Sequence, residues 1–142
     1  MLVVDNKTAY TSVLSQMHKH CFNPYWNEKE FHSLLMLSNT ILWIEDQGFL
    51  LCSYVLDEME VLTIGVMPDY RRNGIGAKLL EQMISFASDK QIKKIFLEVR
   101  SDNESAKNLY ARFGFSQTGI RKGYYKTESG LINALCLTKD MG

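Results

Sequence analysis

Arg71 and Arg72 stand just ahead of two glycines, Gly74 and Gly76, where an apolar segment ending at Pro68 gives way to one with Ile75, Leu79, Leu80, Met83, Ile84 and Ala87 at helical spacing. Such a strand, turn and helix can hold an anion. The first turn of a helix leaves backbone N–H groups without internal partners and carries the positive end of the dipole. Glycines let a phosphate approach that backbone closely, here along Asn73, Gly74, Ile75, Gly76 and Ala77, and the arginines add charge-assisted donors. The plainer reading is a solvated arginine turn with Gly74 as a helix-start glycine. The placement of both arginines before both glycines favours the phosphate role.

Other strand–turn–helix anion sites do not fit. A P-loop needs Lys followed by Ser or Thr straight after its last glycine, whereas Gly76 is followed by Ala77 and Lys78. The dinucleotide fingerprint needs a third glycine where Leu79 stands. The 16 basic and 16 acidic side chains cancel, so no overall field draws nucleic acid or a membrane surface, and a polyanion must be held locally. His18, His20 and Cys21 suggest a metal by residue type, but residues two apart on a helix point to different faces and no further ligand cluster appears, so no metal is expected. Cys52 and Cys136 sit in apolar stretches without a histidine nearby in sequence, which reads as buried, reduced thiols rather than nucleophiles.

The elements that must position this loop follow from periodicity. A chain of 142 residues, 46% apolar and 23% charged, without repeats or a low-complexity linker, reads as a single folded domain over residues 1–142. Its first apolar patch is too short for a signal-peptide core, and no run approaches membrane-spanning length, so the expected location is cytoplasmic. An edge strand is expected at 2–4, and helices at 8–20 and 27–38, the second opened by the capping pair Asn27 and Glu30. A hairpin through Asp46 to Gly48 and a strand at 58–67 come next, then a helix at 74–90 and a strand at 95–99. A helix capped by Ser101 or Asn103 and two strands, 115–125 and 131–137, close the chain. The fold class is α+β, a central mixed sheet flanked by helices.

The Arg-x-x-Gly-x-Gly spacing at Arg71, Gly74 and Gly76 resembles the coenzyme A pyrophosphate loop of the GNAT N-acetyltransferase superfamily. The block LEVRSDNESAKNLYARFGF resembles that superfamily's second conserved block, with Asn103, Ala106, Tyr110, Gly114 and Phe115 in pattern. Within it, PYWNEKEF, EVLTIGVMP and GIRKGYYKT are similar to the ribosomal-protein-alanine N-acetyltransferases. The resemblance implies an acyl-CoA N-acyltransferase fold with acetyl-CoA between the strand ending at Met67 and the strand ending at Arg100. Its pantetheine would pair with backbone near Val66, and Asn103 would contact the pantetheine amide or simply cap its helix. Glu98 would be the general base, with Glu60 competing, and Tyr110 would protonate the departing thiolate. Trp26, Tyr124 and Tyr125 would wall the acceptor groove. Two departures bear on the acceptor: Thr63 stands where many relatives carry asparagine, and Met67 where an acid or histidine is frequent.

The implied acceptor is the N-terminal α-amine of a protein such as a ribosomal protein. A far larger share of α-amines than of lysines is uncharged at neutral pH, which lightens the task of the base. Acetylation of a lysine or a small amine is the alternative. A coenzyme A-binding regulatory module without turnover, or an interaction domain with an ordinary glycine turn, are the readings from other classes.

Overall fold

The computed structural model describes residues 3–142. The expected first strand falls partly on residues 1–2, outside that range, and Val3 makes an isolated antiparallel bridge to Trp43. A 3-10 turn, Lys7–Tyr10, leads into α1, Thr11–Cys21, where one continuous helix was expected; the Thr11 hydroxyl donates to the Thr8 carbonyl at the join. Helix α2, Glu28–Leu35, opens with the expected capping box, in which Asn27 Oδ1 accepts from the Glu30 amide and Glu30 Oε1 from the Asn27 amide.

Strands β1, Thr40–Glu45, and β2, Gly48–Val55, form the expected hairpin, and β3, Glu58–Val66, adds antiparallel to β2. Then come α3, Ile75–Asp89; β4, Lys94–Arg100; α4, Glu104–Arg112; β5, Ser116–Thr127; and β6, Gly130–Asp140. The six strands lie in the order β1-β2-β3-β4-β6-β5, with β3 and β4 parallel and the other neighbours antiparallel. This is the mixed sheet the sequence predicts.

Both faces of the first strands are covered, which explains their nearly continuous apolar runs. Leu14, Met17, Phe31 and Leu35 from α1 and α2 pack on Leu42, Phe49 and Leu51. On the opposite face Leu79, Leu80, Met83 and Ala87 from α3 pack on Trp43, Leu50, Cys52, Met59 and Ile95. Side chains alternate across a strand, so Trp43 and Leu42, adjacent in sequence, serve opposite layers.

Two irregularities shape the centre of the sheet. Leu51 pairs with Thr63 and Cys52 with Val61, so Leu62 is an extra, bulged residue on β3. The parallel pairing of β3 with β4 runs from Glu58 opposite Lys94 to Glu60 opposite Phe96 and stops there. Beyond that point the two strands no longer pair, and a gap opens towards Val66 and Arg100.

Candidate active site

After β3, which forms one edge of this gap, a 3-10 turn at Pro68–Tyr70 leads to the loop 71–74 and the start of α3. Arg72 and Gly74 both adopt the left-handed conformation, with φ of 68° and 79°, turning the chain sharply into the helix. No side chain caps α3 at Gly74, and a Cβ built there would meet nothing within 4 Å. An uncapped helix start beside open space, with the exposed Arg72 next to it, suits a diphosphate in position and charge. A Cβ at Gly76 would come 3.2 Å from Leu109 Cδ2, so this glycine also sets how closely α3 approaches α4.

Arg71 turns back to the strand. Its Nε donates to the Val66 carbonyl at 2.9 Å, and the Cys21 thiol reaches the same oxygen at 3.5 Å. The loop 71–74 and the end of β3 are thereby tied together. Burial raises the Cys21 thiol's pKa, and the Arg71 guanidinium pulls it partly back.

Across the gap, ladder pairing places Glu98 opposite Cys136, Arg100 and Arg121 opposite Ala134, Gly119 opposite Cys136, and Tyr125 opposite Ile132. Directly paired residues share a face, so Glu98, Arg100, Arg121 and Tyr125 project on the side away from Leu97 and Val99, which belong to the α3 layer. Both Glu98 carboxylate oxygens accept from Arg121 Nη1 at 3.1 Å, and the Cys136 thiol lies 3.6 Å from Oε2. The Arg121 guanidinium stacks on the Tyr124 ring, 4.0 Å from its centroid, and Tyr124 meets Tyr125 edge-on. Arg100 pairs with Asp102 and also lies over the Tyr125 ring. The Tyr125 phenol's pKa is raised, first by burial and then by Glu98 and Tyr124.

Cys136 is therefore half-buried beside a carboxylate rather than buried in the core as its apolar neighbours suggest. Burial, followed by Glu98, raises its pKa and keeps it a thiol. Glu60 occupies a different place. It lies on β3 at the last position still paired with β4, before the gap opens, and is exposed.

Tyr110 is 5% exposed and packs edge-on to Phe115 in the α3 layer. Burial raises its pKa, with Tyr125 and Cys52 adding to the effect, so the phenol binds its proton more tightly than usual. The Asn103 side chain accepts from the Ala106 amide at 3.1 Å, which makes it the cap of α4. Trp26 stacks on His18 and meets Phe31 edge-on, inside the packing of α1 and α2; no ring contact joins it to Tyr124 or Tyr125 among the described residues.

Sequence reasoning missed two side chains. One is Arg121, whose partner Glu98 is distant in sequence, so no local spacing announces the pair. The other is His18, whose Nδ1 accepts from the Trp26 amide at 3.0 Å and whose Nε2 lies 3.2 Å from Thr63 Oγ1. The amide can only donate, so the proton sits on Nε2 and is given to Thr63. Thr63 thereby bonds α1 directly to β3 beside the bulge.

The sequence profile of the Acetyltransferase (GNAT) family matches residues 11–115. The chain is 34% identical over 116 residues to the [ribosomal protein bS18]-alanine N-acetyltransferase of Escherichia coli K12, covering 79% of this chain and 78% of that one. It is 40% identical over 85 residues to the N-alpha-acetyltransferase RimI of Mycobacterium tuberculosis, covering 60% of this chain and 51% of that one. The crystal structure of the ribosomal-protein-S18-alanine N-acetyltransferase from Escherichia coli superposes with a TM-score of 0.90 at 27% identity, covering 99% of this chain and 94% of that one. The fold is shared further, with Arabidopsis thaliana NAA60 in complex with acetyl-CoA, at a TM-score of 0.83 and 18% identity, covering 99% of this chain and 98% of that one. With the parted strands, the uncapped glycine-led helix and these likenesses in agreement, the chain belongs to the GNAT family and is an acetyl-CoA-dependent N-acetyltransferase.

Proposed function

We propose that this enzyme acetylates the N-terminal α-amine of a protein, a ribosomal protein being the substrate class that the bS18-alanine relatives suggest. One observation supports the acceptor side most: a carboxylate, Glu98, stands beside the gap between β3 and β4 on the same face as Arg121 and Tyr125. Acetyl-CoA supplies the acyl group as a thioester. Amides from Asn73 to Ala77, with Arg72, would hold its diphosphate, Arg71 would steady the loop, and backbone near Val66 would pair with the pantetheine.

Glu98 takes a proton from the incoming ammonium, and the free amine attacks the thioester carbonyl. The new C–N bond forms and its nitrogen gives up the second proton to solvent, while the C–S bond breaks and the leaving thiolate takes the proton of Tyr110, whose phenolate is reprotonated from solvent. The Glu98–Arg121 pair is compatible with this because its side chains are 32% and 51% exposed, and an ion pair so open to water is readily exchanged for another cation. Asn103 contributes by fixing the start of α4, the helix that carries Tyr110. Trp26 contributes through its packing on His18, which places α1 and α2 against β3.

The test is kinetic, on a peptide with a free N-terminal alanine. Glu98→Gln lowers kcat by about a hundredfold or more, the range for loss of a positioned general base, whereas Glu60→Gln changes it by less than about threefold. The reverse order would move the base to Glu60. Failure of the wild type to acetylate any free N-terminus would end the N-terminal reading.

A further inference from the structure

Strand β5 is irregular where it presents the acceptor-face side chains. Arg121 pairs with Ala134 and Tyr125 with Ile132, so Lys122, Gly123 and Tyr124 stand opposite Asn133 alone. Three residues facing one form a special bulge, and a bulge re-aims the side chains next to it. The chain arcs through Gly123 at φ of 60°, and a Cβ there would come within 3.1 Å of Leu131 Cδ1. At one end of the arc Arg121 reaches Glu98; at the other Tyr124 folds over the Arg121 guanidinium and against Tyr125.

Asn133 fastens this arc. Its Oδ1 accepts from the Gly123 amide at 2.8 Å in a half-buried setting. Because that amide can only donate, the amide group of Asn133 must present oxygen and not nitrogen. The carbonyl of the same residue accepts from the Ser101 amide at 2.9 Å, just beyond the end of β4. One residue thus joins the two strands that carry the acceptor face: β4, with Glu98 and Arg100, and β5, with Arg121, Tyr124 and Tyr125.

We infer that Asn133 is a positioning residue for the acceptor, acting through the β5 bulge to set the surface that receives the amine-bearing substrate. The inference rests on the reading that the Glu98 face takes the acceptor. It leaves the acetyl-CoA side untouched, because the loop 71–74 and the start of α3 belong to other elements.

The experiment measures KM for an alanine-ended peptide and for acetyl-CoA, with kcat and Tm, in wild type, Asn133→Ala, Asn133→Asp and Gly123→Ala. Removing the acceptor in Asn133→Ala raises the peptide KM about fivefold, the effect of losing one ordinary hydrogen bond, and leaves the acetyl-CoA KM within about twofold. Asn133→Asp keeps an oxygen acceptor at the same place and restores the peptide KM. Gly123→Ala disturbs the same arc from β5 and repeats the peptide-specific rise, which guards against a fault peculiar to Asn133→Ala. An unchanged peptide KM in Asn133→Ala, equal damage in Asn133→Asp, or parallel rises in both KM values would each overturn the inference. If the wild type proves to use lysine and no N-terminus, the N-terminal reading falls, and the same comparison with a lysine peptide decides the role of Asn133.

Discussion

In the proposed mechanism Tyr110 faces a steep energetic demand. With ordinary pKa values of about 10 for a phenol and about 8.5 for a thiol, protonating the leaving thiolate is uphill by roughly 2 kcal/mol. Burial makes the Tyr110 phenol a still weaker acid. The step works if the departing sulfur is equally withdrawn from water, since desolvation raises a thiolate's basicity in the same direction. Tyr110→Phe is therefore expected to lower kcat about a hundredfold, with the KM for acetyl-CoA changed less than about threefold, in steady-state assays. His18 makes a residue-scale prediction of its own. It is 3% exposed, and burial lowers its pKa to about 4 from an ordinary 6.5. The folded protein therefore binds its proton less readily than the unfolded chain. The stability tied to neutral His18 is fully present above pH 6.5 and is lost as pH falls from 6.5 towards 4, at most about 3 kcal/mol. Urea midpoints of wild type should fall more steeply over that window than those of His18→Gln; parallel curves would show that His18 is not the group responsible.

Among the elements, the join of β3 to α3 was the most readable. Arg71, Gly74 and Gly76 lie within six residues and the helix after them is strongly periodic, so local pattern was enough to place the turn and the start of α3. The capping box of α2 and the Asn103 cap of α4 were legible for the same reason, because each is a contact across three residues. What could not be read was set by pairing between distant strands. The early end of the β3–β4 ladder, the Leu62 bulge and the three-residue bulge on β5 leave no periodic trace. Hence Glu60 stayed in competition with the favoured Glu98 in the sequence, while in the fold Glu98 borders the gap and Glu60 precedes it. Trp26 was grouped with Tyr124 and Tyr125 by residue type, yet it belongs to the packing around His18. At this scale Gly74→Ala is the informative change. Forcing a side chain into φ of 79° should cost about 1 kcal/mol of stability and raise the KM for acetyl-CoA, while the peptide KM stays near wild type. A thermal melt beside two-substrate kinetics separates the two effects.

For the whole molecule, two cores on opposite faces of one sheet hold the parted strands in place. The layer under α3 fixes β3 against β4 at their paired ends, and the layer under α1 and α2 fixes β3 from the other side through His18 and Thr63. Met83, fully buried in the α3 layer, should cost about 2 to 5 kcal/mol when changed to alanine, measured by urea unfolding. Composition and charge placed the protein among neutral, folded domains, but they say nothing of the acceptor, because in the proposed reading that choice rests on the face built by β4 and β5. No helix among the described residues is long and apolar enough to cross a membrane. The proposed function turns on the choice of amine. Its most direct measurement uses one peptide with a free N-terminal alanine and an internal lysine, incubated with acetyl-CoA and enzyme, with the acetyl group located by fragment mass. Acetyl is expected on the α-amine and not on the lysine. Acetyl on the lysine, with the α-amine left free, would contradict it.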